Sequence, residues 1–313
     1  MNKRENVLKL LGGQKSDYIP AGFWIHFNDE VNKAGVDAQV KAHKEFADET
    51  NMDIIKIMNE YEFRREEKVE KASDWNKIKA LPKSDDLFKN QHEVMKKTLN
   101  VLNGEVYTLG TVHGVVASLS HSSGLSYSQS PEIIMEHAKE NKEAVLNAIK
   151  ATTENVINML NQIQNTDVDG IYYAALGAEK DRFTREFFDE FIKPYDLMVL
   201  NEIKDKKIFL HMCKENVDLE RFTDYPSDVV NWAVHEGDYS LAEGAELFTD
   251  KIILGGMDDR SGVLVEGTEE EIEEKINQIK QEVDLNRFIL GADCTLPTEI
   301  DYNRIRFSIE TVK

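Results

Sequence analysis

Three residues carry the most specific chemistry in this sequence. Cys213 closes the run Lys207-Ile208-Phe209-Leu210-His211-Met212-Cys213, and Cys294 closes Arg287-Phe288-Ile289-Leu290-Gly291-Ala292-Asp293-Cys294. The pattern is His-x-Cys, then 80 intervening residues, then Cys. Imidazole nitrogen and thiolate sulfur are the donors zinc prefers, and three protein donors with one position left over describe a catalytic rather than a structural site. The competing readings are two inert core thiols or one disulfide, and a disulfide is disfavoured in a reducing compartment.

The elements that must position these groups can be read from short apolar runs. Eight of them, rich in Ile, Val, Tyr or Phe, have the length of buried parallel strands: 19–25, 53–58, 105–112, 170–175, 207–212, 228–234, 251–254 and 287–290. Helical patterns lie between them. Glu132–Thr153 and Thr184–Lys204 repeat apolar residues at i, i+3, i+4, and Thr268-Glu269-Glu270-Glu271 is a capping box that opens a further helix. Eight βα units predict a (β/α)8 TIM barrel, one domain over 1–313, with extra helices in the long third and fourth units. An open doubly wound sheet is the weaker alternative, because no G-x-G-x-x-G follows the first strand.

In a barrel the site lies at the C-terminal strand ends. There His211 and Cys213, two apart in extended backbone, point to the same side. The same reasoning nominates Asn59 and Glu60, His113, the group His235, Glu236 and Asp238, and the group Asp258, Asp259 and Arg260. Of these, Asn59, His113, His235 and Asp258 are taken as substrate-binding candidates, together with Trp24. Trp24, Tyr172 and Tyr173 also read as core or pocket wall. His43, His92 and His137 sit on polar helical stretches and read as solvated.

Composition narrows the partners. Against 38 basic residues stand 58 acidic ones, a formal net charge of −20 that repels phosphate backbones, so nucleic acid is not expected. No apolar stretch reaches membrane-spanning length, and Met1–Asn6 leads into a charged helical pattern rather than a secretory signal. A cytoplasmic location without membrane partners is the expectation. A homo-oligomer is left open.

The chain resembles the uroporphyrinogen decarboxylase superfamily over nearly its whole length. RENVLKLLGGQKSDYIPAGFW (4–24) is similar to that superfamily's first helix and strand, and FIKPYD, GGMDDR and FILGADCTLP are similar to its later landmarks. The resemblance implies a (β/α)8 barrel. The decarboxylase branch carries an arginine-rich segment after the first strand, whereas Ala21–Phe27 here contains no arginine. The methylcobamide:coenzyme M methyltransferase branch carries a zinc motif that His211, Cys213 and Cys294 match residue by residue. That resemblance implies Glu179, or alternatively Asp181, as a further zinc ligand.

Two thiolates already cancel the charge of Zn2+, which suits activation of a sulfur nucleophile better than of water. The implied activity is therefore transfer of a methyl group to a small thiol from methylcobalamin or another methylated corrinoid. With no D-x-H-x-x-G cobalamin-binding run in the chain, that cofactor is expected in trans on a corrinoid carrier protein. Coenzyme M, homocysteine and tetrahydrofolate all remain open as acceptors, with a thiol preferred. The alternatives are a decarboxylase on the same barrel and a non-catalytic zinc- or corrinoid-binding partner.

Overall fold

A computed structural model describes residues 2–64 and 68–313. Seven strands, all parallel, follow one another around a single curled sheet in chain order. They are β1 (Ile54–Ile57), β2 (Tyr107–His113), β3 (Gly170–Ala175), β4 (Lys207–Met212), β5 (Val229–Trp232), β6 (Ile252–Met257) and β7 (Phe288–Ala292). Helices cover the outside, so the strands are buried on both faces and carry the near-continuous apolar runs seen in the sequence. The architecture is TIM-barrel-like. No helix among the described residues is long and apolar enough to cross a membrane.

The eight-strand expectation needs one correction. Run 19–25 forms no regular strand; it makes isolated parallel bridges, Ala21 with Leu290 and Ile25 with Leu296. Pro20 has no N–H to give to a ladder. The segment nevertheless lies between the first and last strands: Gly22 N donates to Leu290 O (2.9 Å), and Ala21 O accepts from Asp53 N (3.1 Å) and Ile54 N (3.2 Å).

The helical expectations also need adjusting. The stretch expected over Glu132–Thr153 is two helices, Ser130–Glu140 and Lys142–Gln164, broken at Asn141. The Asn141 side chain leaves the first helix to cap the second, accepting from Ala144 N at 3.1 Å. The capping box at Thr268 is present and opens the helix Glu269–Glu282. Between β4 and β5 the only helical element is the single turn Leu219–Phe222, because 16 residues leave little room for more.

Alternation along β4 builds the interior in layers. Phe209, His211 and Cys213 share the inward face. Phe209 meets Tyr107 low in the barrel (ring centroids 6.0 Å), and His211 stacks on Tyr172 above it (5.5 Å, 24°). Tyr173 points the other way and donates its hydroxyl to the fully buried Asp196 behind the sheet. Burial raises the Asp196 carboxyl to about 6.

Candidate active site

At the C-terminal end of the strands the three donors predicted from sequence come together. Cys294 Sγ lies 3.4 Å from His211 Nε2 and 3.9 Å from Cys213 Sγ. The three ligand atoms fall within 4.8 Å of one another. With Zn–S near 2.3 Å and Zn–N near 2.0–2.1 Å, a tetrahedral site needs edges of about 3.8 Å between sulfurs and about 3.5 Å between sulfur and nitrogen. The observed spacings lie close to both.

Backbone pairing sets these positions. Cys213 N still bonds to Ala175 O (3.0 Å), so the residue remains on the β3–β4 ladder, and the chain then turns at Lys214 with φ 85°. Asp293 N bonds to Met257 O (2.9 Å), which fixes the β7 end just before Cys294. Asp293 is fully buried, and its Oδ2 accepts from His235 N (2.7 Å) and Nδ1 (2.9 Å), tying the loop after β5 to the same point. That bond raises the His235 pKa.

The imidazole is oriented by its cross-strand neighbour. His211 pairs in register with Asn231 of β5, and His211 Nδ1 lies 2.6 Å from Asn231 Oδ1. The Asn231 amide donates to Leu254 O (2.9 Å) and Ala292 O (3.1 Å), which settles which end is oxygen. His211 therefore carries its proton on Nδ1, and the Nε2 lone pair faces the sulfurs. An imidazole held this way is ready to ligate a metal. Next to Asn231, β6 runs through Gly255 and Gly256 at φ 151° and 105°, a backbone that side chains rarely adopt.

Without a metal the two thiols share their protons unequally. Cys294 is held well below the ordinary thiol range, chiefly because Cys213 donates to it. Cys213 is pushed well up by that same hydrogen bond, by burial and by the neighbouring sulfur. A bound divalent metal would ionise both.

These residues line a cavity of about 550 Å3. Its floor holds Lys56, which the sequence reading passed over. Lys56 is 7% exposed, and its Nζ sits 4.3 Å from the centre of the Tyr172 ring and 5.1 Å from that of Trp24. Burial lowers its pKa to about 8. The signal was a lysine inside the apolar run Ile54-Ile55-Lys56-Ile57. Asn231, inside Val229-Val230-Asn231-Trp232, went unnoticed in the same way. Tyr127 and His121, on helices and loops outside the strand ends, also reach the cavity.

The remaining candidates divide. His113 lines the cavity, its pKa driven down to about 3 by burial and by neighbouring cationic groups. Asp259 lines it too, raised to about 7 mainly by burial, whereas its neighbour Asp258 turns away to accept from Arg260 N (2.8 Å) and Ser261 N (3.3 Å). Asn59 lies outside the cavity beside a small void, accepting from Tyr61 N (3.1 Å). His235 is engaged with Asp293. Trp24 is 1% exposed, packed edge-on against Tyr172, and so supports the floor from below.

Glu179 stands outside the three-donor group. Its carboxylate is fully buried and accepts from Tyr127 Oη (2.6 Å) and Gly177 N (2.8 Å). Asp181 is exposed on the loop beyond it. The solvated reading of His43 is corrected: it is 1% exposed, Nδ1 on Gln39 O (2.7 Å) and Nε2 accepting from Met58 N (2.9 Å). His92 and His137 are half-buried, bonded to Gln162 O and Trp75 Nε1.

A barrel-like parallel α/β fold with a cavity at the strand C-termini defines the class. The chain belongs to the uroporphyrinogen decarboxylase (URO-D) family, whose model matches residues 60–313. Among solved structures it is similar to a methyltransferase from Methanosarcina mazei (14% identity, 99% of this chain and 98% of that one, TM-score 0.80). It is also similar to a putative vitamin-B12-independent methionine synthase from Listeria monocytogenes (12%, 95% and 96%, TM-score 0.58). A B12-independent methionine synthase from Shewanella sp. W3-18-1 is a further neighbour (11%, 94% and 93%, TM-score 0.55). At these identities the likeness concerns the fold. No curated protein matches the chain.

Proposed function

We propose that this protein is a zinc-dependent methyltransferase that passes a methyl group from a methylated corrinoid, held on a separate carrier protein, to a small thiol. The observation that carries the reading is the convergence of His211 Nε2, Cys213 Sγ and Cys294 Sγ within 4.8 Å of one another on the cavity wall, with the imidazole tautomer already set by Asn231. The donor set fits zinc, with a nitrogen and two sulfurs gathered within 4.8 Å and a remaining position facing the cavity. The chemistry zinc supplies when bound there is to keep an incoming thiol ionised while the two cysteine thiolates cancel the metal charge, so that its sulfur stays electron-rich.

The chain's own residues do the rest. Asn231 keeps Nε2 aimed at the metal position. Tyr172, backed by Trp24, gives the cavity an apolar face that keeps water from the acceptor. The cavity aligns the acceptor sulfur with a methyl group presented from the open end. As the new C–S bond forms, the electron pair of the old bond leaves with the donor. Glu179 is retained as a buried support for Tyr127 on the cavity wall. We take residues 1–313 as one functional unit acting in the cytoplasm.

The test has two parts. Metal analysis of the purified protein is expected to give about one zinc per chain. Mixing it with methylcobalamin and a panel of thiols is expected to show demethylation at the corrinoid absorption bands. A metal-free, fully active protein, or decarboxylation of uroporphyrinogen without metal, would overturn the reading in favour of the decarboxylase branch. Zinc binding without turnover on any thiol would favour a non-catalytic partner.

A further inference from the structure

The whole thiol content of the chain stands in one wall of the cavity. Cys213 and Cys294 are its only cysteines, and neither is bridged. Their Sγ atoms lie 3.9 Å apart although 80 residues separate them in the chain. In the sheet, β5 and β6 come between β4 and β7, so a bond joining these sulfurs would be a tie across the barrel mouth, outside any ladder. Both residues are partly exposed and both line the cavity of about 550 Å3. A small solute that enters the cavity therefore meets both sulfurs at once, and an oxidised sulfur has one neighbour of its own kind to react with.

The local backbone leaves room for the pair to close. Each cysteine is at the end of its ladder: Cys213 N still bonds to Ala175 O, but the chain leaves the sheet at Lys214 with φ 85°, and Asp293 N–Met257 O is the pairing just before Cys294. A disulfide bond is about 2.05 Å long, so each sulfur has to travel roughly 1 Å towards the other, a movement on the scale of side-chain rotation. A tetrahedral zinc instead holds two thiolates about 3.8 Å apart. The two states exclude each other, because ligation needs both sulfurs as thiolates and a disulfide sulfur carries no negative charge. His211 keeps its bond to Asn231 in either state, since that contact involves neither sulfur.

We propose that Cys213 and Cys294 form a redox switch: a peroxide closes them into an intramolecular disulfide, the site loses its metal, and methyl transfer stops until a dithiol reductant reopens the pair. This inference rests on the methyltransferase reading, whose metal-holding group it regulates. In the first step one sulfur attacks a peroxide oxygen. An S–O bond forms, the O–O bond breaks, and the far oxygen leaves as water. In the second step the other cysteine attacks the oxidised sulfur. The S–S bond forms, the S–O bond breaks, and the second oxygen leaves as water. Two electrons pass from the sulfur pair to the peroxide. Two protons, from the thiols or from solvent once a metal has displaced them, complete the two waters. Reduction reverses the change by thiol–disulfide exchange.

The test is a titration of zinc-loaded protein with hydrogen peroxide in the presence of a chromogenic zinc chelator. About one zinc is expected to be released per peroxide consumed, with both cysteines lost to alkylation and the chain mass lower by about 2 Da. A peptide map should join Cys213 to Cys294. Far-ultraviolet circular dichroism should stay unchanged, and dithiothreitol with added zinc should restore metal content and methyl transfer. Cys213→Ser, which has no second sulfur, is expected to carry Cys294 on to the sulfinic acid. Wild-type cysteines that take up oxygen in the same way, or that join two chains, overturn this inference, and so does a disulfide that forms with zinc still bound. Any of these outcomes in zinc-loaded protein that transfers methyl groups leaves the methyltransferase reading intact. Protein that never takes up zinc takes that reading down, and the switch with it.

Discussion

The two ends of the barrel hold hollows of nearly equal size. One, about 550 Å3, lies at the strand C-termini over His211, Cys213, Cys294 and Lys56. The other, about 560 Å3, lies at the strand N-termini over Arg4, Lys97, Thr108 and Asp169. Volume does not tell them apart, but the state of their polar groups does. At the N-terminal end Asp169 accepts from Arg4 Nε (2.9 Å), Thr108 N (3.0 Å) and Thr108 Oγ1 (3.0 Å), and Lys97 lies between Asp37 and Glu93 (2.7 Å each). At the C-terminal end two thiols share protons, an imidazole presents a lone pair, and the Lys56 ammonium has no carboxylate partner among the described residues. Paired polar groups hold the fold together, and unpaired ones at the cavity mark where something else must bind.

That contrast can be broken first at the metal group. Cys213→Ala or Cys294→Ala is expected to abolish zinc retention and lower methyl transfer by at least about a thousandfold, since an activated nucleophile is lost. Metal analysis beside a methylcobalamin assay reads both effects. Asp169→Ala, at the other end, should leave zinc content unchanged and cost about 1–3 kcal/mol of stability in a urea melt, because it strands Thr108 N and frees Arg4. If Asp169→Ala released zinc, or a cysteine variant kept it, the distinction between the two ends would fail.

A finer probe is Asn231→Leu, which removes the acceptor from His211 Nδ1 without touching a ligand. Zinc affinity is expected to fall about 10–100-fold, measured by competition with a chelator, while the fold persists. Unchanged affinity would mean that Asn231 only packs.

His43 gives a pH-dependent comparison inside the scaffold. Its pKa is lowered from 6.5 to about 4, mainly by burial, so the folded chain holds it neutral while the unfolded chain protonates it below 6.5. Its contribution to stability is full above pH 6.5 and is lost as the pH falls towards 4. His43→Gln should flatten that part of a stability–pH profile, and an unaltered slope between pH 6.5 and 4 would count against the assignment. The smallest effect is expected at the exposed cap: Thr268→Ala should cost about 0.5–2 kcal/mol with no change in zinc binding.

How much was legible in advance follows from range. Seven of the eight apolar runs became strands, because burial on both faces writes a run of Ile, Val and aromatic residues directly into the chain. The run 19–25 looked the same, yet Pro20 breaks its ladder and leaves bridges. His211, Cys213 and Cys294 could be chosen because thiols are rare here and end two runs. Asn59, Asp258 and His235 shared that position along the chain, but each spends its polar atoms on neighbours whose identity depends on loop geometry.

By itself the sequence determined the parallel α/β alternation, three donor atoms that could hold a metal and the strand ends that carry them, since strand period and burial are local properties. Only the tertiary structure decided that the three donors converge within 4.8 Å of one another. It also decided that Asn231 sets the His211 tautomer, that His43 is internal, and that Lys56 faces the cavity with no carboxylate paired to it among the described residues. Each of these depends on which side chains from distant strands converge, and on whether a polar atom finds a partner there. That is a property of packing in three dimensions, and residue spacing along the chain does not encode it.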